Sequence, residues 1–124
     1  MNFEVIEGEK YTLLKSKVEK LDTNYAPELK SELVLINKNG IRNIIIDLSD
    51  TRYCDSSGLS AILVANRLCK GAEGTFVLTG LQDPVMKLVT ISQLHTVLNI
   101  TPTLNEAHDF VMMEEVERDL NKSE

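Results

Sequence analysis

The sequence predicts an α/β domain: one mixed, mainly parallel β-sheet with helices packed on it, in the order ββαβαβαβα. Three observations predict it. Residues 41–48 are a near-continuous β-branched run, the pattern of a strand buried on both faces and hence central and parallel. Strand-like runs alternate with helical apolar patterns along the chain. The helical patterns open on Asp, Ser or Thr and two of them close on Gly, the punctuation of short helices joined by loops.

The elements follow in order. Phe3, Val5, Tyr11 and Leu13 alternate with polar residues across a turn at residues 7–10. This reads as a β-hairpin with one buried face, running to about Val18. Leu21-Asp22-Thr23-Asn24 is a cluster of capping types, so Asp22 or Thr23 is expected to cap the next helix, with Pro27 in its first turn. Leu29, Leu33 and Ile36, with Val34 beside them, form that helix's apolar stripe, and Asn39-Gly40 ends it.

The β-branched strand comes next, and residues 49–54 carry the chain to Asp55-Ser56-Ser57-Gly58-Leu59. A helix apolar over much of its circumference then runs to about Gly71. Residues 75–79 read as another short buried strand. Asp83 is expected as an N-cap with Pro84 at the first helical position, and Val85, Leu88 and Val89 face the core. Residues 95–100 are the last strand candidate. Thr103 and Glu106 match a capping box that opens a terminal helix containing Leu104, Ala107, Phe110 and Val111. The domain is expected to span residues 1–116, with residues 117–124 a charged tail that frays over residues 121–124.

Bulk properties narrow the function. The 124 residues fit one domain, and 43% apolar with 26% charged residues is ordinary globular composition. No apolar run approaches the roughly 20 residues that span a bilayer. Met1-Asn2-Phe3-Glu4 lacks a basic region followed by an apolar block, so a secretory signal is not expected. A net charge of -6 argues against a nucleic-acid partner. Cys54 and Cys69 sit in apolar settings without a CxxC, as buried thiols of a reducing cytosol do. His95 and His108 have no metal-ligand spacing, so no metal is expected.

The chemistry concentrates where the central strand feeds a helix. Asp55 is placed to cap the helix, and Ser56 and Ser57 fall in its first turn, where backbone N–H groups point outward unpaired. Gly58 removes a side chain, so another molecule could approach closely. The junction lies beyond the C-terminal end of a parallel strand, where open α/β sheets place ligands. A phosphate on Ser56 would sit at the positive end of the helix dipole, tolerated by the fold while repelling an acidic or apolar partner. Plain helix capping explains the same residues, and the local motif alone favours it.

The D-S-S-G-L block after a β-branched strand, with Leu21-Asp22 upstream and Ser92-Gln93-Leu94 downstream, resembles the STAS domain. Within that family the chain is similar to stand-alone bacterial anti-sigma-factor antagonists over residues 3–116. The resemblance implies a cytoplasmic regulator with no cofactor and no enzymatic activity. In that family the unmodified antagonist binds an anti-sigma factor that is also a serine kinase, and the sigma factor is released for transcription. The kinase phosphorylates the first Ser of the block, which is Ser56 here (Ser57 is the alternative), and a serine phosphatase reverses it. Asp22 matches an acidic residue beside that Ser which assists partner binding. A weak homodimer is compatible with the family. The chain departs from it at Val18-Glu19-Lys20, Ser60 and Gln93, each near or at a position where the family often has Gly.

Spacing suggests the docking face. Ser56, Ser60, Val64 and Arg67 share one helical stripe. With the Asp22-Thr23-Asn24 loop, Asp55, Ser57 and Gly58, this stripe is the expected contact surface. Two other functions compete. A serine hydrolase needs a base within reach of Ser56 or Ser57, and no G-x-S-x-G elbow is present. A STAS subunit of another complex, stressosome-like or associated with transport or lipid handling, would bind a protein, nucleotide or lipid without a phosphoswitch; no P-loop occurs.

Overall fold

The computed structural model describes residues 1–122. Seven strands and four α-helices follow in the order β1 (Phe3–Glu7), β2 (Thr12–Ser16), β3 (Lys20–Leu21), α1 (Ala26–Lys38), β4 (Ile44–Asp47), β5 (Tyr53–Cys54), α2 (Ser56–Gly71), β6 (Phe76–Thr79), α3 (Asp83–Ile91), β7 (Asn99–Thr101) and α4 (Leu104–Lys122). The main sheet has the order β1-β2-β4-β6-β7. Only β1 and β2 are antiparallel; β2–β4, β4–β6 and β6–β7 are parallel. The expected mixed, mainly parallel sheet is therefore present.

The central strand explains the layering. Ile44, Ile45 and Ile46 are fully buried. Ile44 and Ile46 face one core with Leu29 and Leu33 of α1, Ile62 and Ala65 of α2, and Val85 and Val89 of α3. Ile45 faces the other, with Leu13, Val77 and Ala107 and Val111 of α4. Alternation puts successive side chains on opposite faces, so only a strand covered on both sides can be isoleucine at every position.

Several expectations need correction. The hairpin is not buried on one face only: β2 lies between β1 and β4, and Leu13 and Leu14 are buried on opposite faces. It also ends at Ser16 rather than near Val18. Asp22 and Thr23 do not cap α1. Tyr25 holds the cap position without a side-chain bond, while the Asp22 carboxylate accepts the Asn24 N–H at 2.9 Å. Gln82 rather than Asp83 is the cap residue of α3, its amide donating to the Ser49 carbonyl. Residues 94–96 form a 3₁₀ turn, so His95 is not in a strand, and β7 begins at Asn99. At Thr103 the hydroxyl accepts the Glu106 N–H at 3.2 Å, the cap half of the expected box. No tail begins at residue 117, because α4 continues to Lys122; the expected fraying at Ser123 and Glu124 lies outside the described residues.

The last turns of α4 are held by charge. Glu115, 8% exposed, receives Arg42 at 2.9 Å and Arg118 at 2.5 Å, and Arg118 also donates to the Thr75 hydroxyl. Burial alone would push the Glu115 carboxyl up, but hydrogen bonds from Arg42, Asn43 and Arg118 outweigh it and hold the group below its ordinary value. A depressed carboxylate stabilises the fold fully above its unfolded pKa of about 4.3 and loses that contribution as pH falls through the folded value. Glu115→Gln should therefore lower unfolding stability by about 2 kcal/mol at neutral pH. In denaturant titrations the gap should narrow progressively below about pH 4, and a pH-independent gap would contradict this role.

Gln93 gives a second test. Its φ of 60° and ψ of 19° are left-handed, which accounts physically for a glycine being common at this position in the family it resembles. Gln93→Gly should raise the unfolding free energy by about 0.5–1 kcal/mol, measured by denaturant titration.

Candidate functional site

The site is built where β3 and β5, two residues each, pair in parallel beside the main sheet. The Asp55 N–H donates to the Leu21 carbonyl at 3.2 Å, so β3 is fastened to the residue that caps α2. Asp55 then caps the helix as expected: its Oδ1 accepts the Gly58 N–H at 2.9 Å. Thr23 bridges the two elements. Its hydroxyl donates to Asp55 Oδ2 at 3.5 Å and lies 3.3 Å from the Ser57 hydroxyl.

This arrangement separates the two serines without reference to any family. Ser57 is half-buried and its hydroxyl is engaged by Thr23. Ser56 is exposed at the first helical position, and among the described residues nothing hydrogen-bonds its hydroxyl. The backbone N–H groups of Ser56 and Ser57 lie in the open first turn, at the positive end of a 16-residue helix.

Gly58 requires a correction. It is buried, and the approach it permits is that of its own chain rather than of another molecule. A Cβ there would lie 2.2 Å from the Leu21 carbonyl oxygen, 2.8 Å from Cys54 Sγ and 2.9 Å from Leu21 Cγ. Gly58 is the clearance that lets β3 and the 22–24 loop lie against the helix start.

The other expected residues fall around this point. Thr23 and Asn24 are exposed and Asp22 is half-buried. Along α2, Ser60 and Val64 are half-buried and Arg67 is exposed, so the stripe reaches solvent beside Ser56. Sequence reasoning missed Tyr53, an exposed aromatic in β5 with the Arg52 guanidinium 5.7 Å from its ring centroid. An aromatic amid the polar residues 49–52 was the available signal.

The site holds little catalytic chemistry. His95 is exposed in its 3₁₀ turn, and His108 Nδ1 pairs with the Tyr11 hydroxyl at 3.0 Å. Neither hydrogen-bonds a serine of the site. Burial, with the Asp55 charge adding to it, pushes the Cys54 thiol up to about 12, and burial does the same at Cys69. Among the described residues no group of three or more His, Cys, Asp or Glu could hold a metal, and no helix is long and apolar enough to cross a membrane.

Fold and site together define a mixed-sheet α/β domain with an unengaged serine at the Asp-capped start of its second helix. The STAS domain profile matches residues 9–107, and this chain belongs to the STAS domain family. The anti-sigma-B factor antagonist of Staphylococcus aureus is 25% identical over 100 residues, 81% of this chain and 92% of that protein. An anti-sigma factor antagonist from Mycobacterium paratuberculosis has the same fold, with a TM-score of 0.80 at 18% identity over 89% of this chain and 92% of that one. The Bacillus cell fate determinant SpoIIAA, in its phosphorylated form, matches with a TM-score of 0.69 at 20% identity, over 88% and 98% of the two chains.

The seam at Gly58 is testable. Gly58→Ala should destabilise the protein by about 2 kcal/mol or more, since backbone and not a flexible side-chain tip blocks the added methyl. Gly71→Ala, on the same helix with nothing within 4 Å of the added atom, is the control and should be neutral or stabilising. Equal effects in chemical denaturation would rule out the seam as the cause.

Proposed function

We propose that this chain is a phosphorylation-switched anti-sigma factor antagonist. Its unmodified form binds an anti-sigma factor that is also a serine kinase, and so frees a sigma factor for transcription. The kinase transfers the γ-phosphoryl group of ATP to Ser56 Oγ, with loss of the hydroxyl proton, and a serine phosphatase hydrolyses the ester. The protein is a binding partner and substrate in this scheme and catalyses nothing itself. Its place of action is the cytoplasm, where sigma factors work.

One observation carries the choice of residue: Ser56 offers an exposed, unengaged hydroxyl, while that of Ser57 is occupied by Thr23. The curated relatives favour this role over a STAS subunit of a transport or other complex. The docking surface in this reading is Ser56 and Ser57 at the helix start, Ser60, Val64 and Arg67 along α2, and Asp22, Thr23 and Asn24 with Asp55 beside them. Gly58 supports that surface from below.

The switch follows from electrostatics. A phosphate on Ser56 brings close to two negative charges to the helix N-terminus, where the dipole and the open N–H groups of the first turn favour it. The fold therefore tolerates the group. The partner loses a neutral surface and must desolvate a dianion to stay bound, so the modification acts on the complex and spares the domain.

Incubation with the anti-sigma kinase and ATP, followed by mass-spectrometric mapping, should place the phosphate on Ser56. Ser56→Ala should abolish labelling and Ser57→Ala should retain it; the reverse pattern would transfer the acceptor role to Ser57. Ser56→Asp and Arg67→Glu should each weaken partner binding by about tenfold or more, near 1.4 kcal/mol. Unchanged affinity for the Arg67 variant would remove that residue from the surface.

A further inference from the structure

Two helix faces outside the surface described around Ser56 carry exposed apolar side chains. On α1, Val34 and Leu35 are 43% and 55% exposed. On α4, Met113, Val116 and Leu120 are 71%, 57% and 62% exposed. The inward side of α4 is set by Ala107, Val111 and Glu115, so these three, at spacings of three and four, point away from the sheet as one stripe. The strip is on the order of 300 Å², the size of the largest apolar patch on a typical monomer, and such patches are often functional.

The charges around the two faces are opposite and equally spaced. On α1, Lys30, Val34 and Lys38 form a ridge at i, i+4 and i+8. On α4, Asp109, Met113 and Glu117 form a ridge at the same intervals. Each charge pair therefore spans about 12 Å along its helix, with one apolar residue midway. Among the described residues, Lys30, Lys38, Asp109 and Glu117 form no ion pair within the chain. A surface hollow lined by Lys30, Ser31, Val34, Leu35 and Lys38 lies on α1, a place for a flexible Met or Leu to seat.

We propose that this α1 face binds the outward α4 face of a second copy of the chain. Lys30 and Lys38 pair with Asp109 and Glu117, Met113 seats in the α1 hollow beside Val34, and Leu120 packs just past its end. Complementarity excludes α4 against α4, because Glu106, Asp109 and Glu117 would meet their own kind. The two faces lie on opposite sides of the sheet, since α1 packs in the core containing Ile44 and Ile46 and α4 in the one containing Ile45. One rigid copy cannot present both faces to a single partner, so the contact is head-to-tail and propagates as a line or ring.

Sedimentation velocity of the whole chain across a concentration series tests this with two variants. Leu35→Asp removes the α1 face and Leu120→Asp the α4 face; both positions are exposed, and circular dichroism confirms folding. The wild type should form dimers and higher species, and each variant alone should stay monomeric at concentrations about tenfold higher. Mixing the variants should restore a 1:1 dimer and nothing larger, because each still carries one intact face. Lys38→Glu and Glu117→Lys should each weaken association, since either places like charges against the opposite ridge. A wild type that stays monomeric throughout overturns the proposal. So does a Leu35→Asp protein that still dimerises, or a mixture that stays monomeric.

Discussion

The site depends on one close approach: the backbone of Leu21 crossing the first turn of α2 at Gly58. No side chain fits in that gap, and the Leu21 carbonyl there accepts the Asp55 N–H. Three consequences follow. Cys54 and Leu21 pack against a bare helix turn. The 22–24 loop comes within hydrogen-bond reach of Asp55 and Ser57 through Thr23. Ser56, one position before Ser57 and rotated by about 100° on the helix, is left facing water. The pairing of β3 with β5 holds this geometry without drawing residues from the main sheet.

What was legible in the sequence was whatever repeats. The isoleucine run could only be a two-sided strand, and the Asp55 cap and the Asn39-Gly40 stop could be read from residue type, Gly40 having a φ of 86°. What was not legible depends on tertiary neighbours. β3 and β5 are too short for any periodicity to show. β2 read as a one-sided strand because Thr12 and Ser16 break its apolar run, although both are buried: Ser16 meets the Thr51 hydroxyl at 2.7 Å. The continuation of α4 past residue 116 was hidden by its charge. A dense run of acids and bases resembles a tail until Arg42, contributed by the loop before β4, is found against Glu115. Gly58 read as an opening for a partner because sequence reveals a missing side chain without revealing what occupies the gap.

The two serines show why composition alone could not select an acceptor. Both lie in the same helical turn, under the same dipole, and either could have been ordinary capping chemistry. Their difference comes from Thr23, more than thirty positions away in sequence, which engages one hydroxyl and leaves the other open. The family resemblance implies Ser56 as the acceptor by its position in a motif, and the hydrogen bonds around the helix start leave that hydroxyl open.

The charge distribution separates the surfaces this domain can offer. Around Ser56 the exposed side chains are small and polar apart from Tyr53, and the cations beside them are Arg52 and Arg67, so one added dianion changes the local field. On α4 the acids are fixed and numerous and surround apolar side chains, a surface suited to a permanent basic counterpart. The α1 ridge of Lys30, Val34 and Lys38 begins one turn into a helix whose first residues adjoin the 22–24 loop. A charge introduced at Ser56 acts at short range on whatever covers the helix start, since water and salt screen exposed charges beyond about 10 Å. The two proposed contacts, one at the start of α2 and one between α1 and α4, would therefore draw on different side chains of one small domain.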